Sequence, residues 1–355
     1  MRPSYDFDKR GSEYDGLIDR YLCRCSILFV ALHGAAVCSK HIDNKHHVIY
    51  ADCLASDVEA LTDFKNGLQD PQNHLSSWRG NNCCEWHGIG CDNITGVVVS
   101  INLQRCGLRN LNGELTPSLL KLKSLRHLDL SYNSFRDIPI PKFFGSVENL
   151  QYLDLSNAGF AGIIPPSIGN LSLLQFLHLE SYRGSMYAEN LRWVVGLVSL
   201  KQLDMKGVDL SLVGPDWLTP LNKIPSLTEL YLRSCQLSGY IDQSLPSLNL
   251  TSLVVLDLSY NHIVSSIPHW VANITTLQHI DISHNGLYGR IPLGFGDLLK
   301  LQYLNLRGNA NLTASCSQLF RGRWEMIREI HLSFNALHGK FPSTFGNLTS
   351  LSPRS

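Results

Sequence analysis

Five aspartates recur along this 355-residue chain at one kind of position. Asp129, Asp154, Asp204, Asp257 and Asp281 each stand between two large apolar residues, in LDL, LDM or IDI. His178, Tyr231, Asn305 and His331 hold the same post in other copies. On neighbouring strands such side chains would lie about 4.8 Å apart, close enough for paired carboxylates to do acid–base chemistry. A second reactive set is Cys53, Cys83, Cys84 and Cys91, gathered with Trp78 and Trp86. A third, His41, His46 and His47, reads as a solvated stretch, because no cysteine or carboxylate constellation accompanies it as metal ligands would require.

The elements that position the aspartates follow from a repeat. LVVLDLSYN, from Leu253 to Asn261, returns in variants beginning at Val98, Leu125, Leu150, Leu174, Leu200, Leu227, Leu277, Leu301 and Ile327, with starts 24 to 27 residues apart. This frame and period are the leucine-rich-repeat signature. Two leucines flanking one residue point inward from a short strand while the middle residue faces out. One such strand cannot fold alone, so the coils must stack into a parallel sheet with one continuous core. The predicted fold is an α/β solenoid, a right-handed leucine-rich-repeat horseshoe or superhelix with short parallel strands on its concave face.

At the turn after each strand, an Asn side chain can satisfy backbone groups that would otherwise be buried unpaired. Asn133, Asn261, Asn285, Asn309 and Asn335 fill that post, with Cys106 and Cys235 as small substitutes. Ala158, Tyr182 and Val208 depart from it, so the ladder is expected to weaken across the third to fifth coils.

The expected organisation is a leader and linker at 1–52, a cysteine cap at 53–97, ten repeats at 98–350 and a truncated repeat at 351–355. The apolar run from Ser26 to Cys38 is too short to span a bilayer and suits a signal-peptide core. Ser56 to Leu68 reads as an amphipathic helix with a Ser56–Glu59 capping box and a Val58, Leu61, Phe64, Leu68 stripe. With the tryptophans and cysteines that follow, it supplies the lid that the first coil's open core needs. Sequence alone leaves three cysteine pairings open. Sequons at Asn93, Asn170, Asn249, Asn273, Asn311 and Asn347 favour the secretory route.

With 30 basic and 30 acidic residues, formal net charge is zero, which argues against nucleic acid and against an electrostatic membrane patch. No stretch of 18 apolar residues follows the cap, and no kinase motif, nucleophile–base pair, metal set or phosphate loop is present. An open sheet also offers the aspartate column no water-excluding pocket, so the chain is read as a binder without a cofactor rather than an enzyme. Exposed aromatic, His and Arg residues on a curved sheet favour protein or peptide recognition. The candidate contacts are His127, Tyr152, Phe176, His178, Tyr231, Arg233, Tyr260, His279, Tyr303 and Arg307, with Tyr132 and Phe334 on the same face. Trp193 and Trp217, in coils that lack the GxIP stretch, are assigned to packing of longer convex loops.

LSSW, CCxWxGxxC and the GxIP stretches Gly162-Ile163-Ile164-Pro165 and Gly289-Arg290-Ile291-Pro292 resemble plant extracellular leucine-rich-repeat proteins. The irregular middle, ENLRWVVGLVSLKQLDMKGVDLS and then WLTPLNKIPSLTELYLRSCQL, resembles the receptor-like proteins of the ethylene-inducing-xylanase receptor group, over roughly residues 53 to 351. That resemblance implies Cys53–Cys83 and Cys84–Cys91 disulfides, a defence-related ectodomain for a microbial protein or peptide, and a leucine-rich-repeat co-receptor or adaptor kinase as signalling partner. It implies the plasma membrane if the protein continues into a membrane helix, and the apoplast as written. A soluble inhibitor of microbial wall-degrading enzymes, similar to polygalacturonase-inhibiting proteins, and a non-signalling decoy are the alternative expectations. The end at Ser355 falls part-way into a coil, so fraying is expected after about Ile327.

Overall fold

The computed structural model describes residues 51–104, 110–182, 185–241, 247–343, 346 and 350–351. The leader, His41, His46, His47, Cys106, Asn347 and Ser352 to Ser355 lie outside them.

Ten strands, from Val98–Asn102 to Glu329–His331, pair in parallel and in chain order, and Ile89–Cys91 joins antiparallel at the cap end. The register is uniform: Leu128, Leu153, Leu177, Leu203, Leu230, Leu256, Ile280, Leu304 and Ile330 align across successive strands and are buried. Because side chains alternate along a strand, this leucine column forces the residues on either side of it onto the outer surface. The solenoid therefore converts a linear spacing into two parallel columns facing away from the leucine core, one half-buried that includes His127, Tyr152 and Phe176, and one in which Asp129, Asp154, Asp204, Asp257 and Asp281 are buried.

The asparagines carry the turns. Asn261 donates through Nδ2 to the Leu232 and Leu258 carbonyls at 2.8 and 2.9 Å, and its Oδ1 accepts from the Cys235 and Leu237 amides at 3.0 Å each. Asn133, Asn285, Asn309 and Asn335 make the same kind of bridge. Cys235 offers its thiol to the Met205 carbonyl at 3.0 Å. At Ala158 and Val208 no amide side chain is available, and backbone bonds such as Phe135 N–H to Ala158 O hold the turn instead. The side-chain ladder lapses there while the strand register continues unbroken.

Short helical turns, including Pro117–Lys121, Pro166–Asn170, Arg192–Gly196 and His269–Asn273, return the chain over the opposite side. Trp193 and Trp217 are buried, so the irregular coils use them as packing. The GxIP stretches build small lateral sheets, such as Gly162–Ile163 beside Met186–Tyr187. Gly162 and Gly289 take φ of 83° and 81°, a backbone state that glycine adopts without Cβ strain. Gly239 takes the same post at φ 89°, although no proline follows it.

The cap helix runs Ala55–Gly67 and buries Ala60, Leu61 and Phe64. The expected capping box does not form. The helix starts one residue earlier, Leu54 caps it without a side-chain bond, and Ser56 Oγ donates to Asp57. The Asp57 carboxylate accepts instead from the Val98 amide at 2.9 Å, so a buried carboxylate ties the cap to the first coil. Cys53–Cys83 and Cys84–Cys91 are disulfide-bonded. Trp78 stacks on Trp86 at 5.4 Å, and both indole N–H groups donate to backbone carbonyls. Cys235 and Cys316 are free and buried.

Candidate functional site

The aspartate column is part of the turn, not a reactive site. Oδ1 of Asp129, Asp154, Asp257 and Asp281 accepts the backbone N–H two residues on at 2.8 to 3.0 Å. Three of them also take a serine hydroxyl at 2.6 Å. The second oxygens differ. Asp154 Oδ2 meets His178 Nδ1 and Tyr152 OH at 3.2 Å each, Asp204 Oδ2 meets Lys206 Nζ at 2.8 Å, and Asp281 Oδ2 accepts from Asn305 at 3.0 Å.

Two aromatic clusters stand on this scaffold. In the first, His127 stacks on Tyr152 at 4.2 Å and 13°, and Tyr152 also meets Phe176 at 6.0 Å and His178 edge-on at 5.4 Å. In the second, His279 stacks on Tyr303 at 4.2 Å and 1°, with His331 at 5.6 Å beyond. The pairs form because the register sets His127 opposite Tyr152 and His279 opposite Tyr303, where cross-strand rings touch. Between them lies a charged stretch, with Lys206 over the Tyr231 ring at 4.3 Å and the Tyr231 hydroxyl on Glu229 at 3.0 Å. The two tyrosine anchors are six strand spacings apart, roughly 29 Å.

Burial sets the charge state of this face. It pushes His127 down to about 4, so that ring is neutral near pH 6, and it lowers His279 from the ordinary imidazole value. His178 behaves oppositely. Burial works against its charge, but the hydrogen bond and negative charge of Asp154 outweigh that and raise its pKa, while His178 in turn keeps Asp154 low against the same burial.

Burial first, and then the charge of Asp154, raises Asp129 from 3.8 to about 6. At Asp129 the folded state therefore binds more proton than the unfolded chain between about pH 4 and 6, and this group's contribution to stability falls as pH rises through that window. Asp129→Asn keeps an oxygen for Ser131 and removes the charge. It should stabilise the protein by on the order of 1–2 kcal/mol at pH 7 and have little effect at pH 4. Denaturant titration at the two pH values checks this; equal effects at both would contradict the assignment.

Of the expected contacts, His127, Tyr152, Phe176 and His178 come together, as do His279 and Tyr303, whereas Tyr231 and Arg233 lie between the clusters. Tyr260 is not on a strand face. Tyr132, Tyr260 and Phe334 all sit at the turn, with φ of 56°, 56° and 58°, and project from the rim. Arg233 stacks over Tyr260 at 4.6 Å and Arg307 over Phe334 at 5.1 Å. His284, which the sequence reading passed over, stacks on Tyr260 at 4.3 Å; its signal was its place immediately before Asn285, the post that Tyr260 fills before Asn261. Asn93, Asn170, Asn249, Asn273 and Asn311 are exposed, and none lies on a strand of the main sheet.

A leucine-rich-repeat N-terminal domain model matches residues 54–92, and leucine-rich-repeat models match 124–146, 149–171, 225–287 and 326–348. With the parallel solenoid, these define the chain as a leucine-rich-repeat protein carrying the family's N-terminal cap. The curated proteins it resembles include plant receptor-like proteins. Receptor-like protein EIX1 of Solanum lycopersicum is 38% identical over 238 residues, covering 62% of this chain and 23% of that protein. EIX2 of the same plant is 36% identical over 62% of this chain and 22% of its own length. The chain thus spans less than a quarter of these relatives. Among solved structures, the Arabidopsis receptor kinase HAESA, in complex with the peptide hormone IDA and the co-receptor SERK1, superposes with a TM-score of 0.67 at 28% identity. It covers 84% of this chain and 53% of that one. Among the described residues, no helix is long and apolar enough to cross a membrane.

Proposed function

We propose that this chain is the extracellular ligand-recognition part of a plant receptor-like protein in defence, engaging a microbial protein or peptide on its concave face. The observation that carries the reading is the pair of aromatic clusters, which offer two desolvated anchors of the kind that dominates binding energy. To touch both, an extended peptide needs roughly eight or nine residues, at about 3.4 Å each; a folded protein surface spans the distance more readily. None of the five exposed sequon asparagines lies on a concave strand, which is consistent with a ligand on that face. Similarity to EIX1 and EIX2 supports the receptor-like assignment and an apoplastic location, and the HAESA complex supports a leucine-rich-repeat co-receptor or an adaptor kinase as partner. A binding role, not catalysis, fits carboxylates that are committed to backbone amides.

The defence assignment is tested by titrating the secreted, glycosylated chain with a purified fungal ethylene-inducing xylanase and, separately, with plant peptide hormones. Saturable binding to the xylanase with none to the hormones is the expected result. Binding to a hormone alone would replace the defence reading with a developmental one.

A further inference from the structure

A second surface lies outside the concave face. Between the seventh and eighth coils a shallow groove of ≈ 460 Å³ opens over Tyr260, His262, Val264, His284 and Gly286. Gly286 leaves part of its floor open: a Cβ there would stand 3.1 Å from Val264 Cγ2 and 3.3 Å from the Ile263 carbonyl. One wall is held in place. His284 is packed between the Tyr260 ring and Gly308, where a Cβ would meet its Nδ1 at 2.8 Å.

Around the groove the surface is apolar. Tyr260, Val264, Tyr288 and Tyr240 are 46%, 60%, 48% and 57% exposed. Backbone bonds from the Val264 amide to Gly239 and from the Tyr288 amide to Ser265 place three of them on adjacent coils. Exposed apolar residues scattered singly are ordinary, but a contiguous group marks an interaction site. Arg233 stacks over the Tyr260 ring at 4.6 Å and Arg290 is exposed on the strand that carries Tyr288, whereas the Arg307 guanidinium lies over Phe334; among the described residues none of the three is in an ion pair. The groove lining contains no carboxylate. Asp257 and Asp281 lie behind it on the strands, each already bonded to a serine, and Asp257 also feels the charge of Arg233. In the fifth coil, by contrast, Lys206 is neutralised by Asp204.

We propose that this lateral groove docks an acidic segment of a protein partner, which seats an aliphatic side chain beside Gly286 and sets its carboxylates against the arginine rim. Unpaired guanidinium groups around an apolar floor are complementary to that chemistry and repel a basic segment. The groove shares Arg233 with the stretch between the concave clusters, whereas Val264 and Gly286 belong to the groove alone. Asn311 pairs in register with Tyr288, so a glycan there would border the groove.

The test uses the glycosylated chain and a fluorescent heptapeptide of alternating leucine and glutamate, with leucine–lysine and serine–glutamate peptides as controls. The leucine–glutamate peptide should bind saturably and the controls should not. Val264→Asp, at an exposed position, and Arg233→Glu should each weaken it by about tenfold or more, and Gly286→Leu should abolish it; Tyr303→Ala on the concave face should leave it unchanged. Melting temperatures of the Val264 and Arg233 variants should match the parent. Absence of binding, or binding that survives Val264→Asp and Arg233→Glu, would overturn the proposal. So would binding that appears only in Asn311→Gln, where the glycan would be the occupant, or a dimer in sedimentation that Val264→Asp dissociates, where a second copy would be.

Discussion

Asn261→Ala should lower the free energy of unfolding by about 3–5 kcal/mol. The side chain is buried and serves two carbonyls and two amides from two coils at 2.8 to 3.0 Å. Alanine would leave those backbone groups enclosed without partners, and each such group costs about 1–3 kcal/mol, less whatever a trapped water recovers. The neighbouring post provides the comparison. Cys235 makes a thiol bond to the Met205 carbonyl at 3.0 Å, and Cys235→Ala should cost only about 1 kcal/mol because a weak donor is lost and the hole is small. Hydrogen exchange reports the effect locally: the Cys235 and Leu237 amides should lose protection in Asn261→Ala ahead of the cap. A cost below about 1 kcal/mol would mean that water substitutes for the ladder.

Removing the Cys53–Cys83 disulfide is the second large effect. It closes a separation of 30 residues, for which loop-closure entropy gives about 4 kcal/mol, against about 2 kcal/mol for the 7-residue separation of Cys84–Cys91. The loss should concentrate at the cap. Cys53 begins the segment that leads into the helix Ala55–Gly67, whose Asp57 holds the Val98 amide; freeing it loosens the cover over the first coil. Cys53→Ser with Cys83→Ser should therefore expose the amides of Val98 and Ile101 to exchange, while those of Leu256 and Ile280 stay protected, as expected when coils interact only with neighbours. Equal loss of protection along the whole array would show that the cap and solenoid unfold as one unit.

Much of this architecture is legible in the chain. The LxxLxLxxN frame states both which residues are buried and which coil follows which, because a period-2 strand leaves no freedom about its inner face. Asn133, Asn261, Asn285, Asn309 and Asn335 announce the turns, since an amide side chain brings two donor hydrogens and a separate acceptor oxygen into that space. Other features depend on residues far apart in sequence. The capping box looked sound locally, yet Asp57 is drawn to Val98, 41 positions away, and no local pattern reports a tertiary acceptor. The sequence sets the aspartate column aside as chemistry for want of a water-excluding pocket, but it does not show that turn amides hold one oxygen of each carboxylate. Tyr260 read as a concave-face residue because the sequence shows its exposure but not its φ of 56°, and that angle moves it to the rim. Pairing of His127 with Tyr152, and of His279 with Tyr303, emerges only once register sets their rings face to face.

The central claim is recognition through the concave face, and the measurement that tests it most directly is affinity for the fungal xylanase before and after Tyr152→Ala with Tyr303→Ala. Both anchors are removed while the leucine columns beneath stay intact, so the melting temperature should change little. The account predicts a loss on the order of 100-fold or more in the double variant, with no loss for Ser167→Ala with Ser226→Ala, whose hydroxyls bond backbone carbonyls off the concave strands. Unchanged affinity in the tyrosine variant, or a loss confined to the serine variant, would contradict it.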